Sequence, residues 1–386
     1  MTASRRWLLK TGGAAAVIGG LGVVGYAHGP GMKSAREPWR VAGTSFGDPR
    51  LDALAYGILA PNPHNRQPWT FELVATDRID VRCDLDRRLP HTDPFDRQIT
   101  IGFGCMLELV RQAAAEKGWR AEIVAFPDGA PQPRLDGRRV ATVTFAQDAS
   151  VAKDPLFAHV VARRSLKEPY DPARPVTRDT LSHVIDAAQG GLDYGGSVER
   201  PTIETMMDIA DRAFLIEYET ARTRRESIAL MRIGNRAVAA QPDGIDLGGV
   251  PIGLLRMTGI MSPEALDTPG TTSYETGKTM YRDGIRSSQG FIWIKATENT
   301  RASQIAAGRD WVRMNLAAQK LDLGVHPLSQ CLQEFPEMNG PYADAQRALD
   351  VSANGVIHML GRVGYAKFTA PSPRWPLMSK VVTMNE

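Results

Sequence analysis

Two groups of residues in this 386-residue chain could do chemistry together. The first is a loop with side-chain amides at fixed offsets. Residues 60–71 read Ala-Pro-Asn-Pro-His-Asn-Arg-Gln-Pro-Trp-Thr-Phe. Pro61, Pro63 and Pro68 fix φ and remove three backbone donors, so neither a helix nor a central strand can run through them. The stretch is a stiff connector holding Asn65 and Gln67. A side-chain amide offers both a donor and an acceptor, which suits recognition of a planar heterocycle. The second group is Arg163, Arg164, Ser165 and Lys167. Two guanidinium forks and a hydroxyl suit a phosphate dianion, and a lysine beside them suits developing negative charge.

These groups need positioning elements. Leu51, Leu54, Ala55, Ile58 and Leu59 recur at helical spacing just before the loop, and Thr70 to Val74 reads as a strand just after it. A second strand is expected over Ile79 to Leu85, a helix from Ile99 to Gly118, and strands over Arg120 to Phe126 and Val140 to Phe145. The chain then starts again. Thr177 is a good N-cap for a helix over Arg178 to Ala188. Further helices are expected from Thr202 and over Ser303 to Leu323, and Gly355 to Tyr365 reads as the final strand. Residues 242–300 fit none of these elements. They are rich in Gly, Met, Thr and Ser, with scattered apolar residues, and read as a lid insertion.

Composition excludes several classes. The formal net charge is +3, but residues 1–40 carry a basic excess and the remaining body is slightly acidic, which gives no support for a nucleic-acid partner. Cys83, Cys105 and Cys331 form no CxxC pair, and the seven histidines form no metal-binding cluster. Three buried, unpaired thiols are expected, with a single disulfide as the alternative. No metal ligand and no side-chain nucleophile stands out.

The loop at 60–71 resembles the Ala-Pro-Ser-x-x-Asn-x-Gln-Pro-Trp element of the nitroreductase superfamily, at Ala60, Pro61, Asn65, Gln67, Pro68 and Trp69. It departs at Asn62, where the family usually has Ser; Asn62 joins Asn65 and Gln67 as a cofactor-binding candidate. The Arg-Arg-Ser-x-Lys stretch at 163–167 resembles the family's phosphate-binding element, and Gly-Val-His-Pro-Leu-Ser-Gln at 324–330 resembles a segment of its Acg-type branch. The resemblance implies an α+β fold of mostly antiparallel sheets flanked by helices, with two half-repeats fused into a pseudo-dimer over 45–150 and 151–386. It implies one FMN per chain, because each half lacks what the other has. It further implies that Arg163, Arg164, Ser165 and Arg374 hold the phosphate. Lys167 would tune the reduced ring, and the backbone of Leu328 or Ser329 would donate to flavin N5, since Pro327 has no N–H. His326 reads as structural. The implied activity is hydride or electron transfer to a small acceptor of the nitroaromatic or quinone class; the alternative is an exported flavin-holding protein with little turnover.

Ser4-Arg5-Arg6-Trp7-Leu8-Leu9-Lys10 and the uncharged stretch after it resemble a twin-arginine export signal, with Leu8 in place of the usual aromatic. A signal over 1–27, a polar linker over 28–44 and a periplasmic or envelope location are the expectations. The export machinery would be a partner of a chain that otherwise acts as a monomer. The uncharged stretch is short and glycine-rich for spanning roughly 30 Å of hydrocarbon, so a signal is favoured over an anchor.

Overall fold

The computed structural model describes residues 32–382, and the expected export signal lies outside them. The chain enters through two short helices, α1 (Met32–Ala35) and α2 (Glu37–Val41), in the stretch expected to be a polar linker. They form because Ala35, Trp39 and Ala42 bury apolar surface against the body. They are also stitched to the tail: Arg374 N–H donates to Ala35 O at 2.8 Å, and Trp39 Nε1–H donates to Ser372 O at 2.7 Å.

The first half then runs α3 (Pro49–Gly57), β1 (Trp69–Val74), β2 (Arg78–Cys83), α4 (Arg97–Glu116), β3 (Trp119–Ala125) and β4 (Arg139–Gln147). Asp48 caps α3 by accepting from Arg50 N–H, and Pro49 opens it without losing a helical bond. The strands line up β1-β2-β4-β3, all antiparallel. The second half repeats this plan with α5 (Arg178–Ile185), capped by Thr177 as expected, and β5 (Asp193–Ser197). A large insertion follows: α6 (Arg200–Glu219), α7 (Ala221–Ala229), β6 (Met231–Ile233), α8 (Asn235–Ala240), β7 (Ile245–Leu247), α9 (Val250–Met257), α10 (Pro263–Asp267) and α11 (Thr272–Arg286). The plan resumes with β8 (Gly290–Ala296), α12 (Arg301–Lys320), β9 (Gly324–Pro327), α13 (Asn339–Ala348) and β10 (Val356–Gly364). This sheet is ordered β5-β8-β10-β9, again antiparallel throughout. The same order and polarity in both sheets make the chain a doubled α+β unit.

The two halves meet through α4 and α12. A Cβ on Gly104 would lie 2.2 Å from Ile305 O, and one on Gly308 would lie 1.9 Å from Ile101 O. The backbones therefore cross where neither helix can carry a side chain. The first residues of these helices are exchanged across the same axis. Arg97 donates to Leu332 O at 2.5 Å and His358 O at 2.9 Å in the second half. Arg301 donates to Phe95 O at 2.9 Å and Pro131 O at 3.0 Å in the first.

Two expectations need correction. Residues 290–296, placed in the lid, are the strand β8, paired on both edges. Phe291-Ile292-Trp293-Ile294 is the continuous apolar run of a strand covered on both faces, a pattern that alternation does not reveal. The insertion spans 198–289 instead. Nor is β10 the last strand: β11 (Val381–Val382) adds to β1 in parallel, and two residues are too few to carry a pattern. All three cysteines are free and buried. Among the described residues no helix is long and apolar enough to cross a membrane, and no group of ligands could hold a metal.

Candidate functional site

The loop after α3 is strained. His64, Asn65 and Gln67, none of them glycine, have φ of 47°, 51° and 50°, a region that costs about 1–3 kcal/mol per residue. Hydrogen bonds over-determine it. Asn62 Oδ1 accepts from Gln67 N–H at 2.7 Å and Asn62 Nδ2 donates to Ala60 O at 3.0 Å. Asn65 Nδ2 donates to Pro373 O at 3.0 Å. Gln67 is buried; its Oε1 accepts from Trp375 N–H at 2.9 Å and its Nε2 donates to Pro242 O at 2.8 Å. Lys380 Nζ donates to Gln67 O at 2.8 Å. The amides of Asn62, Asn65 and Gln67 thus shape the loop and bind it to the tail and the insertion. The sequence placed them on the correct loop, but tertiary partners turn them inward.

Arg374 is the main clamp. Its five N–H donors reach Ile58 O, Leu59 O, Ala60 O, Pro373 O and Asn65 Oδ1, between 2.6 and 3.1 Å. No donor is left over for a phosphate, so its role here is to hold the loop beside the other arginines. Arg163 shares Leu59 O with it, through Nη2 at 3.4 Å. The Arg163 side chain is buried, and its Nη1 has no partner. Arg164 donates to Thr369 O at 3.2 Å and Val161 O at 2.8 Å, and its guanidinium lies 4.9 Å from the Trp39 ring centroid. Arg374 lies 5.2 Å from the same ring.

Among the described residues none of these three arginines is in an ion pair. Burial, then the neighbouring Arg164, pushes Arg163 down to about 10. Burial and Arg36 push Arg164 to about 10. Burial and both neighbours hold Arg374 well below the usual range. Three neighbouring cations without a carboxylate among the described residues, one with an unsatisfied buried donor, form a site suited to an anion. Ser165 is half-buried beside them, and its hydroxyl makes no hydrogen bond to the described residues.

Lys167 extends the row. It is exposed to water, yet crowding by surrounding atoms lowers its pKa, opposed by Glu168 and Asp246. His64 from the first half and His326 from the second both feel the Lys167 charge. Burial, then Lys167 and Arg66, lowers His64 to about 4, so its imidazole is neutral at pH 7. Nearby, Pro327 pairs with Gly361 in β9–β10. The Leu328 N–H donates to Leu360 O at 2.9 Å, so of the two expected donors it is already engaged. The half-buried Ser329 makes no such bond through its N–H to the described residues.

Part of the candidate set is thus brought together. Arg163 and Arg374 share Leu59 O just before the strained loop, Arg164 and Arg374 share the Trp39 ring, and the Lys167 charge reaches His64 and His326, while the amides and Arg374 support the loop from behind. Sequence reasoning missed Trp39, His64, Arg362 and Lys380. A tryptophan in a supposed linker was the one available signal; Arg362 was hidden inside an apolar strand.

No family model matches the chain. A Mycobacterium tuberculosis H37Rv protein with the provisional name of an NAD(P)H nitroreductase is 27% identical over 341 residues, covering 86% of this chain and 90% of that protein. The likeness is to nitroreductases. An uncharacterised protein of the same strain is 27% identical over 125 residues, 31% of this chain and 35% of its own. Among solved structures, the FMN-dependent nitroreductase NfnB of Mycobacterium smegmatis, in complex with NADPH, aligns with a TM-score of 0.34 at 14% identity, covering 56% of this chain and 92% of that one. A Bacteroides fragilis nitroreductase with bound FMN gives 0.33 at 14% identity, covering 61% and 100%. At such scores these two carry no weight in placing residues.

Proposed function

We propose that this chain is a nitroreductase-type oxidoreductase that binds one FMN between its two halves. The observation that carries the reading is the buried Arg163, whose Nη1 has no partner among the described residues, beside arginines that no carboxylate of the described residues neutralises. A phosphate monoester dianion fits that donor set. Arg163, Arg164 and Ser165 would hold it, and Arg374 would keep Arg163 against the loop. When bound, the flavin supplies hydride and one-electron chemistry. Lys167 offers positive charge where negative charge accumulates on reduction, which makes reduction easier. Ser329 offers the backbone donor. The neutral His64 leaves Lys167 as the cation beside it. Residues 242–244 press on the loop through Pro242 O and through Gly244 N–H, which donates to Asn65 O at 3.2 Å; we take this part of the insertion as a fixed cover.

The pseudo-equivalent second position supports a single site. Its loop is closed on Asp310, whose carboxylate accepts from Gln189 N–H at 2.8 Å, Gly190 N–H at 3.0 Å and Tyr194 Oη–H at 2.6 Å. The corresponding stretch of the first half, 45–52, reads Ser-Phe-Gly-Asp-Pro-Arg-Leu-Asp, and its one cation, Arg50, is paired with Asp48 at 2.7 Å. Membership of the Acg-type branch, acceptors of the nitroaromatic or quinone class, action as a monomer, and twin-arginine export to the periplasm or envelope belong to the same proposal.

The deciding measurement is the absorbance spectrum and flavin stoichiometry of the purified chain, with titration of Arg163→Ala by FMN and by riboflavin. One flavin per chain is expected. The variant should lose about a hundredfold in FMN affinity, in line with a lost charge-assisted contact, while riboflavin affinity holds. A colourless protein that FMN does not bind, or equal losses for both ligands, would end the reading. Reduction of bound flavin by NAD(P)H and reoxidation by a quinone would separate an enzyme from a flavin-holding protein.

A further inference from the structure

His326 was expected to be structural, and its surroundings give it a more specific character. It lies on β9 directly opposite Arg362 on β10. Antiparallel cross-strand partners project to the same face, so the two side chains meet. Arg362 Nε–H donates to His326 Nδ1 at 3.0 Å. Arg362 itself is fixed by Ser287 Oγ at 3.1 Å, Lys167 O at 2.7 Å and Glu168 O at 2.9 Å, and by the Tyr170 ring, 4.1 Å away. An arginine Nε–H can only donate, and it does so at every accessible pH. His326 Nδ1 must therefore present its lone pair, and the one ring proton of the neutral imidazole sits on Nε2.

That Nε2–H has no partner among the described residues. It is also not one of the sealed, unpartnered atoms, unlike His358 Nδ1. The ring is held edge-on by Tyr281, with centroids 5.8 Å apart, and Tyr281 is pinned by Gln330 Nε2 at 2.7 Å. The backbone three residues on carries the free Ser329 N–H. Lys167 stands close enough for its charge to act on the ring.

We propose that His326 is a neutral hydrogen-bond donor of fixed tautomer, aiming Nε2–H at an electron-rich oxygen of the molecule bound beside Lys167. The oxygen belongs either to the cofactor ring or to the acceptor, as a quinone carbonyl or nitro group. A neutral imidazole suits this role because it polarises an oxygen without surrendering a full proton. Burial, Arg362 and Lys167 all oppose its protonation. The other titratable groups acting on this cluster are Tyr170 and Tyr281, which burial keeps neutral, Glu168 beside Arg362 and Lys167, Asp246 beside Lys167, and Glu217, whose charge acts on Tyr281 and not on the ring. The proposal rests on the cofactor reading only for the identity of the bound molecule.

The first test needs no cofactor. Nitrogen-15 histidine NMR of the apo chain, assigned by loss of one ring in His326→Gln, should show that ring as the Nε2–H tautomer, without titration from pH 8 to pH 5. The Nδ1–H tautomer, or protonation near pH 6, would overturn the proposal. The second compares His326→Phe with His326→Gln, whose amide can still donate. The Phe variant should weaken FMN binding and lower the flavin potential if the oxygen is the cofactor's, or raise the acceptor KM about tenfold at unchanged FMN affinity if it is the acceptor's. The Gln variant should recover most of either loss. No effect of Phe on any of these, or equal damage from Gln, would overturn it. A chain that binds no flavin would sink the cofactor reading while leaving the tautomer result to stand by itself.

Discussion

The two halves share a plan and differ at one corner. In the first, β1 and β2 are joined by a short turn at residues 75–77; in the second, the equivalent strands β5 and β8 are separated by the whole insertion at 198–289. Likeness survives where the halves touch each other. Gly104 faces Gly308, and Arg97 and Arg301 each cap carbonyls in the opposite half. Difference accumulates where a cofactor would sit. One loop is strained and stands beside unpaired arginines; its counterpart is neutralised by Asp310. A fused repeat is thus constrained by its internal contact and free to dismantle one of its two sites.

Breaking the contact should have the largest effect. Gly308→Ala and Gly104→Ala each force a methyl into a facing carbonyl, so each should destabilise by about 3 kcal/mol or more in urea unfolding. The two losses should be similar. A large loss from one and none from the other would show that the crossing is not symmetric.

The pH dependence sharpens the comparison, since each half buries a different ionisable group. Lys380, beside the first sheet, is lowered to about 7 by burial, then by Arg87. Between its folded value and the ordinary lysine value the unfolded chain binds the extra proton, so this group makes stability rise with pH from about 7 towards 10.5. Glu217, in the insertion, is raised to about 7 by burial, against the hydrogen bond from Gln333. There the folded chain binds the extra proton, so stability falls as pH rises from about 4.5 to 7. Lys380→Met should flatten the alkaline slope alone, and Glu217→Gln the acidic slope alone. Thermal unfolding across pH 4 to 10 would show both; a single variant that changes both slopes would mean the halves are electrostatically coupled.

The smallest effect concerns the entering segment. Trp39→Phe keeps most of the buried ring but removes the N–H that donates to Ser372 O and trims the face near Arg164 and Arg374, and should destabilise by about 1 kcal/mol. Flavin release should become several-fold faster, because the arginines lose part of their packing. Unchanged release in stopped-flow fluorescence would confine Trp39 to holding the tail.

Much of the fold was legible because its elements are long and periodic: α4, α12 and β10 each announce themselves by apolar spacing. β8 was not, because a strand buried on both faces loses its alternation inside an insertion rich in similar residues. The linker at 28–44 was misjudged for a related reason. Trp39 and Ala35 look isolated in sequence and gain their partners from a tail more than three hundred residues away and, for Ala35, from Val238 in the insertion.

By itself the sequence determined that a proline-stiffened loop and a basic run exist in different halves, and that only one complementary pair of them remains. Local propensity and side-chain type suffice for that. The tertiary structure decided which way the groups face. Asn62, Asn65, Gln67 and Arg374 look like ligand contacts, yet partners far along the chain engage their donors and acceptors, because a buried polar group must be satisfied by whatever folding brings beside it. Among the described residues Arg163 Nη1, Ser329 N–H and His326 Nε2–H have no protein partner, and in the proposal above they are the donors a ligand would meet.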